Sequence, residues 1–256
     1  MRLSIIIFFI SALSFIDCNA QKAIPEGTFY IKDNIYIDKE PISNIAYATF
    51  LASIEQFWAP QMSDSLRKLP LFGIETKKLF AIRDSTWRWK NKNLIDKMQI
   101  PKIYYKGVDT NISLRKYLGV QKKIRNIPVA GINYEQAKMY CKWRTDMVLL
   151  YYSSKSHTFA DRNKFFTKIN YRLPKIDEWE SAFQKNSYCR NKMPFYWEAS
   201  DSPAYDIFIM YNKLISELLL EEGSLIQADS KSYKIRKDEE VPKNEKGFRC
   251  VCEVND

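Results

Sequence analysis

The sequence predicts a mixed α+β fold that is irregular and rich in loops. Three observations carry this prediction. Short runs of β-branched and aromatic residues near both ends of the chain are typical of strands. Other segments have the apolar spacing or the capping residues of helices. Few segments are long and periodic, and no internal repeat is visible. A chain of 256 residues is long enough to bury one sizeable core.

The first twenty residues have the features of an export signal. Arg2 precedes an apolar run over residues 3–16, which is shorter than the roughly 20 residues that a membrane span needs. The triplet Cys18-Asn19-Ala20 fits a leader-peptidase site. We therefore expect residues 1–20 to be a signal peptide and residues 21–256 to form one domain in the periplasm, at the cell surface or in the medium. An uncleaved anchor and a lipid on Cys18 are the alternatives, although the residues before Cys18 fit a lipobox poorly.

The charge balance is strongly basic, with a formal net charge of +10. No dense run of Lys or Arg and no RNA-binding signature accompanies it. We interpret the charge as a lysine-rich solvated surface and expect no nucleic-acid partner. No later stretch is apolar enough to cross a bilayer, so we expect no membrane span after signal cleavage.

The first elements of the domain are a hairpin and a helix. Residues 24–38 contain two strand-like runs on either side of Lys32-Asp33-Asn34, which predicts strand, turn and strand. Ser43 can then cap a helix. The apolar positions of that helix fall on one face, at Tyr47, Phe50, Leu51, Ile54 and Phe57.

The middle of the chain has one clear element. Residues 58–126 predict loops and short helices, and Trp87 and Trp89 alternate as in a strand. Asn133, with Gln136 three positions on, forms a capping-box pattern and predicts a helix to about Tyr152. A polar stretch that contains the lone His157 follows.

The last elements are a third helix and a closing strand. A third helix should follow residues 172–174, with Asp177 and Glu178 in its first turn. Residues 247–254 predict a strand with Cys250 and Cys252 on the same face.

No residue pattern indicates a catalytic, cofactor or metal site. The spacing of the cysteines does not match a zinc site, and neither P-loop nor dinucleotide motifs occur. Asp177, Glu178 and Glu180 are best explained by the helix dipole and by solvation. Four cysteines remain after leader removal, and in an exported chain they suggest disulfides with three pairings open.

Four segments, in the same order along the chain, resemble the formylglycine-generating-enzyme (sulfatase-modifying factor) family. They are residues 24–44, residues 128–144, residues 171–182 and residues 247–251. The residues that match family positions of structural importance are Gly27, Asn133, Trp143, Arg172, Leu173, Pro174, Glu178, Trp179, Glu180, Gly247, Phe248 and Arg249.

The resemblance implies a variant of the C-type-lectin-like fold. It also implies a disulfide between Cys141 and Cys250, which match the family's structural pair; Cys189 and Cys252 would remain for a second bond. The family's oxidase chemistry needs two copper-binding thiols between a Gly-Gly-Ser-Trp strand and the closing strand. Residues 231–246 contain no cysteine, and thiolates are the ligands that Cu(I) prefers. Lys175 also replaces the family's capping Thr, which should weaken the helix cap by ~1 kcal/mol.

These departures predict an exported, non-catalytic structural or protein-interaction module of the cell envelope. The resemblance is nearest to the family branch of gliding-motility and secretion-associated lipoproteins, so the expected partner is an envelope protein. A metal-dependent oxidoreductase with altered chemistry is the second hypothesis. A glycan-binding lectin-like protein is the third, with Trp87 and Trp89 as its open candidates.

Overall fold

A computed structural model describes residues 22–56, 58, 104–105, 108–109, 127–190, 207–211, 214–229 and 231–255. It confirms a mixed α+β fold in which short elements are joined by many loops. The helices of these ranges are α1 (Asn44–Gln56), α2 (Tyr134–Lys155), α3 (Phe159–Asn163) and α4 (Ile176–Asn186). Among the described residues, none of the helices is long and apolar enough to cross a membrane.

The strands are short, and several of them join segments that are far apart in sequence. They are β1 (Thr28–Lys32), β2 (Ile35–Asp38), β3 (Tyr104–Tyr105), β4 (Val108–Asp109), β5 (Lys168–Arg172), β6 (Ser187–Arg190), β7 (Phe208–Tyr211), β8 (Ser216–Leu218), β9 (Ser224–Ala228), β10 (Tyr233–Lys237), β11 (Lys246–Gly247) and β12 (Val251–Asn255).

One four-stranded sheet divides the hydrophobic core into two parts. Its order is β1-β2-β12-β5, with antiparallel pairing throughout. Because side chains alternate along a strand, Cys252 and Val254 of β12 enter one cluster with α1 and α2, and Val251 enters the other with Trp179 and Phe208. The last strand of the chain is therefore central to both halves of the core.

A second four-stranded sheet has the order β10-β9-β8-β11, and its β9 packs into the same cluster as Val251. β8, β9 and β10 follow one another as antiparallel neighbours, whereas β11 joins β8 in parallel. The short pairs β3-β4 and β6-β7 are separate from both sheets.

The caps explain where the helices begin. Ser43 Oγ accepts a hydrogen bond from Ala46 N–H at the start of α1. At α2, Asn133 and Gln136 form the predicted capping box, since each side chain accepts from the other residue's N–H at 2.9 Å. Lys175 makes no capping hydrogen bond with its side chain, and its own N–H donates to the Glu178 carboxylate at 2.8 Å instead.

Three sequence-based expectations need correction. The strand predicted over residues 247–254 is split, because Gly247 pairs with β8 and only residues 251–255 form β12. Cys250 lies before β12, although it still enters the same cluster as Cys252. α2 extends to Lys155 rather than to about Tyr152. The polar stretch after it holds the unpredicted helix α3, which Thr158 caps through its side chain.

Gly247 allows the closing segment to pass close to its neighbours. A Cβ at this position would lie 2.8 Å from Ile215 Cγ2 and 2.9 Å from the Val129 carbonyl oxygen. Such distances require neighbouring atoms to shift, so a larger residue is expected to cost about 1–3 kcal/mol. This close passage brings Phe248, Arg249 and Cys250 into the core.

Several predictions lie outside the described residues. They are the signal peptide, the cleavage after Ala20, lipid attachment at Cys18, the burial of Phe57, and the positions of Trp87 and Trp89. Of residues 58–126, the structure describes only Trp58 and the strands β3 and β4.

Candidate binding cleft

A cleft of about 760 Å³ lies between α2, the connection from β2 to α1, and the first described residues of the chain. We call it the Asp38 cleft. Its lining residues are Ala23, Ile24, Glu26, Gly27, Asp38, Lys39, Glu40, Pro41, Ile42, Ser43, Ala46, Tyr140, Arg144, Met147, Val148, Tyr151, Tyr152, Phe165 and Tyr171. Its volume lies within the roughly 300–1,000 Å³ that is usual for ligand pockets.

A buried ion pair forms the floor of this cleft. Arg144 Nη1 donates to Asp38 Oδ2 at 2.7 Å, and the two side chains are 15% and 5% exposed. Arg144 Nη2 also donates to the Glu26 carbonyl oxygen at 3.3 Å. Burial lowers the pKa of Arg144, but the Asp38 carboxylate and three neighbouring Tyr and Cys side chains together outweigh this effect and hold that pKa well above its ordinary value. The guanidinium therefore stays charged.

The floor also carries two polar atoms with few partners. Asp38 Oδ2 accepts both from Arg144 and from the Cys250 N–H at 2.8 Å, whereas Asp38 Oδ1 has no hydrogen-bond partner among the described residues. The Tyr171 hydroxyl has no conventional partner there either, and its polar neighbour is the Cys252 thiol. Since an unpaired buried polar atom costs about 1–3 kcal/mol, this floor is the least satisfied polar region of the cleft.

Apolar residues supply much of the exposed lining of the cleft, beside the exposed Glu26. Ile24 is 49% exposed on one wall, and Tyr151 is 51% exposed on α2. Met147, Val148 and Phe165 are partly buried between rim and floor. A surface of this kind combines apolar walls with a small number of polar groups, as binding pockets commonly do.

The two cysteines with a predicted bond lie directly below the floor. Cys141 Sγ on α2 and Cys250 Sγ on the closing segment are 3.4 Å apart, and both residues are buried. The structure thus brings the two thiols into contact, and the disulfide itself stays a prediction. Burial raises the pKa of the Cys250 thiol, and burial raises that of Cys252 to about 12. Cys189 lies on β6 beside β7, in a different sheet from Cys252.

A second, smaller cavity of about 230 Å³ lies at the hairpin of β9 and β10. Asp229 Oδ1 accepts from the Ser232 N–H and hydroxyl at 2.8 and 3.1 Å. Arg236 Nη1 donates to Gln227 Oε1 at 3.1 Å. The cavity shares no lining residue with the Asp38 cleft, and its polar side chains already bind one another.

Arg249 forms a second buried ion pair, with Glu217 on β8. Its Nε and Nη2 donate to the two carboxylate oxygens of Glu217. Its remaining donors reach the carbonyl oxygens of Asp38, Lys39 and Ile209 at 2.7–3.3 Å. The guanidinium carbon also lies 3.9 Å from the centre of the Phe208 ring. This pair joins the closing segment to β2, β7 and β8.

The carboxylates of α4 all have structural partners. Glu178 forms two hydrogen bonds with Arg172, at 2.6 and 2.8 Å. Asp177 accepts from Lys32 at 2.8 Å, and Glu180 accepts from the Tyr233 hydroxyl at 2.7 Å. Solvation does not explain Glu178, which is buried, so specific partners as well as the helix dipole account for these carboxylates.

The other motif residues lie in the frame of the domain. Trp143, Leu173, Pro174, Trp179, Gly247, Phe248 and Arg249 are all buried. Gly27 has a φ of +76°, in a turn at the edge of the cleft. His157 is exposed between α2 and α3.

Sequence reasoning missed the residues that form the Asp38 cleft floor. Asp38, Arg144 and Tyr171 lie within three of the family-like segments, but nothing in the sequence marks them as parts of one site. No spacing links positions 38, 144 and 171, because sheet pairing and helix packing bring them together. Among the described residues, no group of three or more His, Cys, Asp or Glu side chains could hold a metal ion.

Comparison with known proteins gives one match. The model of the sulfatase-modifying factor enzyme 1-like domain family matches residues 13–211, which is more than half of the chain. No curated protein and no solved structure matches the sequence.

Proposed function

On the premise that this chain belongs to the family of sulfatase-modifying factor enzyme 1-like domains, we propose that it is a non-catalytic member. It acts as an exported protein-interaction module of the cell envelope, and the Asp38 cleft is its binding surface. Its resemblance to the gliding-motility and secretion-associated branch supports the envelope location.

The observation that carries this proposal is the lack of cysteines in residues 231–246. The family's aldehyde-forming chemistry needs two copper-binding thiols between the Gly-Gly-Ser-Trp strand and the closing strand. In this chain Gly223-Ser224 leads into β9, and the stretch between β9 and β12 holds only one cysteine, Cys250. The hairpin carries Gln227, Asp229, Ser232 and Arg236 in mutual hydrogen bonds.

The remaining described thiols are poor candidates for that chemistry. Cys141, Cys250 and Cys252 are all buried. Burial raises the pKa values of Cys250 and Cys252, so both stay protonated at neutral pH. A thiol reacts and binds metal as the thiolate, which these surroundings disfavour.

The Asp38 cleft supports a binding role. It is the larger of the two cavities above, and apolar side chains line much of it around the Arg144–Asp38 ion pair. This combination suits recognition of a ligand rather than maintenance of the fold.

The absence of the family activity can be tested directly. The purified protein, with and without copper, should leave a Cys-x-Pro-x-Arg peptide unchanged, while an active family enzyme converts it to formylglycine in the same assay. Measurable turnover by this chain would overturn the non-catalytic proposal.

Export is tested separately. The apolar run over residues 3–16 and the Cys18-Asn19-Ala20 site predict that the exported protein begins at Gln21. N-terminal sequencing and intact mass of the protein from envelope and culture fractions check this. A mature form that keeps Cys18 with an attached lipid would contradict it.

A further inference from the structure

We propose that the outer edge of β10 binds a protein partner by strand addition, and that the added segment is extended and acidic. None of the β10 residues lines the Asp38 cleft. The edge is therefore a second interaction surface, beyond the one assigned to the cleft.

The backbone of β10 has hydrogen-bonding groups that point away from its sheet. Among the described strands, β10 is the last one at this edge and pairs only with β9. Asp229 N–H donates to the Ser232 carbonyl oxygen at 2.8 Å, which fixes the phase of the ladder. Hydrogen-bonded and non-hydrogen-bonded pairs alternate in an antiparallel ladder. Every second residue of β10 therefore bonds to β9, and the N–H and C=O groups of Tyr233 and Ile235 point outward.

This outer edge is open. Ile235 is 51% exposed, and Lys234 and Lys237 beside it are exposed as well. Among the described residues, the outward groups of Tyr233 and Ile235 have no hydrogen-bond partner. The free edge ends at Lys237, whose N–H donates to the Glu240 carboxylate at 3.3 Å. An extended segment laid along the edge can bond to both residues, which is how a sheet accepts an added strand.

The charges of the edge select an acidic segment. Residues 231–237 contain four basic side chains and no acidic one. Three of the four, Lys231, Lys234 and Lys237, are exposed and form no ion pair with the described residues. The carboxylates of residues 238–240 follow beyond the end of the strand, and two of them already form ion pairs. Carboxylates of an added strand thus meet unpaired lysines, whereas a basic strand is repelled.

The same charges disfavour a second copy of this chain as the occupant. Antiparallel pairing of two β10 edges centred on Ile235 places Lys234 of each copy opposite Arg236 of the other. Like charges directly opposite each other destabilise a strand pair. Lysines at an edge hinder the joining of identical sheets, but they attract a strand that carries carboxylates. The occupant is therefore a different polypeptide with an extended acidic segment.

The experiment selects peptides for this edge and locates them with two variants of one residue. A displayed library of random peptides is first depleted on Ile235→Pro and then selected on the wild-type exported chain. Proline removes the outward N–H and is tolerated in an edge strand. Ile235→Arg is the matched control, because it loses the same apolar side chain but keeps the backbone N–H that binds the added strand.

The selected peptides should be acidic, and the backbone should decide their affinity. Their Kd should rise about tenfold or more for Ile235→Pro, since hydrogen bonds to the edge are lost, and stay close to the wild-type value for Ile235→Arg. The double variant Lys234→Glu with Lys237→Glu should raise the Kd about fivefold or more, because attraction becomes repulsion. Ile24→Arg in the Asp38 cleft should bind these peptides as the wild type does.

Amide hydrogen exchange of the wild type tests the geometry without any variant. A selected peptide should slow exchange at Tyr233 and Ile235, whose N–H groups gain partners, whereas Lys234 and Arg236 already donate to β9 and should change less. Thermal unfolding shows whether Ile235→Pro retains the fold. If it does not, the selection is run without depletion, and amide exchange locates the bound peptides.

Three results would overturn the inference. The first is a selection that yields no peptide, or only basic or uncharged ones. The second is binding that leaves exchange at Tyr233 and Ile235 unchanged, which places the site elsewhere. The third is a wild-type dimer in analytical ultracentrifugation that protects the same amides, which makes the occupant a second copy. None of these results bears on the Asp38 cleft or on turnover of the Cys-x-Pro-x-Arg peptide, which test the proposed function separately.

Discussion

The two buried arginine–carboxylate pairs of this protein differ in how completely their polar atoms are matched. Arg249 and Glu217 are 0% and 5% exposed, and the pair is surrounded by carbonyl oxygens, the Trp179 indole N–H and an aromatic ring. Arg144 and Asp38 lie at the floor of an open cleft, and one carboxylate oxygen accepts nothing from the described residues. The first pair is matched on both carboxylate oxygens, whereas the second leaves one enclosed carboxylate oxygen without a partner among the described residues.

Asp38 connects the two regions. Its backbone carbonyl oxygen accepts from Arg249 at 3.0 Å, and its side chain accepts from Arg144. Its own N–H donates to the Cys250 carbonyl oxygen at 3.0 Å. The Arg249–Glu217 pair therefore fixes the backbone of Asp38, whose side chain pairs with Arg144 in the cleft.

The largest expected effect on stability comes from the Arg249–Glu217 pair. Glu217→Gln removes the negative charge and leaves Arg249 buried with a positive charge, which should lower the free energy of unfolding by about 3–5 kcal/mol. Chemical denaturation measures this. The double variant Glu217→Leu with Arg249→Met should be less destabilised than the two single losses combined. A Glu217→Gln protein as stable as the wild type would contradict the structural role of the pair.

The next effect concerns the two thiols below the cleft. If the predicted bond between Cys141 and Cys250 forms on export, it closes a loop of 109 positions. Bonds of this kind typically add about 2–4 kcal/mol. Reductant should then lower the stability of the wild type and of Cys252→Ser, whereas the stability of Cys141→Ser should not depend on reductant.

Non-reducing peptide mapping identifies the bond itself. Alkylation of Cys141 and Cys250 in the unfolded, unreduced protein, together with stability that is insensitive to reductant, would show that the thiols remain free. A bond from Cys141 to Cys189 or Cys252 would show that the closing segment is wrongly placed.

A smaller effect on stability is expected at the Arg144–Asp38 pair. Asp38→Asn replaces a charged acceptor, so the hydrogen bonds from Arg144 and Cys250 weaken and the protein loses about 1–3 kcal/mol. Chemical denaturation checks this. Equal stability losses at Asp38→Asn and Glu217→Gln would remove the distinction between the pairs.

The smallest expected effect is a pH dependence of stability that comes from Glu178 on α4, away from both ion pairs. Burial raises the pKa of Glu178, but the Arg172 guanidinium and the Lys175 N–H outweigh it, so the pKa lies below its ordinary 4.5. A lowered folded-state pKa adds stability that is present above the unfolded pKa and is lost as the pH falls through the folded value. Glu178→Gln should therefore lose about 1–3 kcal/mol at pH 7 and show a weaker decline below pH 4.5.

Denaturation curves from pH 7 to pH 3 measure the difference. Glu135→Gln is the control, because the Glu135 side chain is 71% exposed in its pair with Lys138. If the Glu178→Gln and wild-type curves remain parallel over this range, the pair with Arg172 makes no pH-dependent contribution.

Local elements of the fold could be predicted from the sequence because their signals are local. The Asn133 and Gln136 capping box and the turn at Asp33-Asn34 are short patterns, and the structure contains both. The spacing of Tyr47, Phe50 and Ile54 likewise predicted the buried face of α1. In each case the residues that decide the structure are neighbours along the chain.

The cleft and the split closing strand could not be predicted, because non-local contacts decide both. Gly247 pairs with β8 while Val251 pairs with β2 and β5, so residues of one short run belong to two sheets. Asp38, Arg144 and Tyr171 come from β2, α2 and β5, and only the packing of these elements shows that they share a floor. Asp38 gave no local signal, since an acidic residue at a strand end is common.

The most direct test of the central claim is a pull-down from envelope extracts with three forms of the exported chain. They are the wild type, Ile24→Arg in the cleft and Ile235→Arg on β10, where Ile24 and Ile235 are 49% and 51% exposed. Quantitative mass spectrometry of the recovered proteins should show a partner that the wild type and Ile235→Arg retain and that Ile24→Arg loses. Recovery of the same proteins in the same amounts by all three forms would contradict a binding role for the Asp38 cleft.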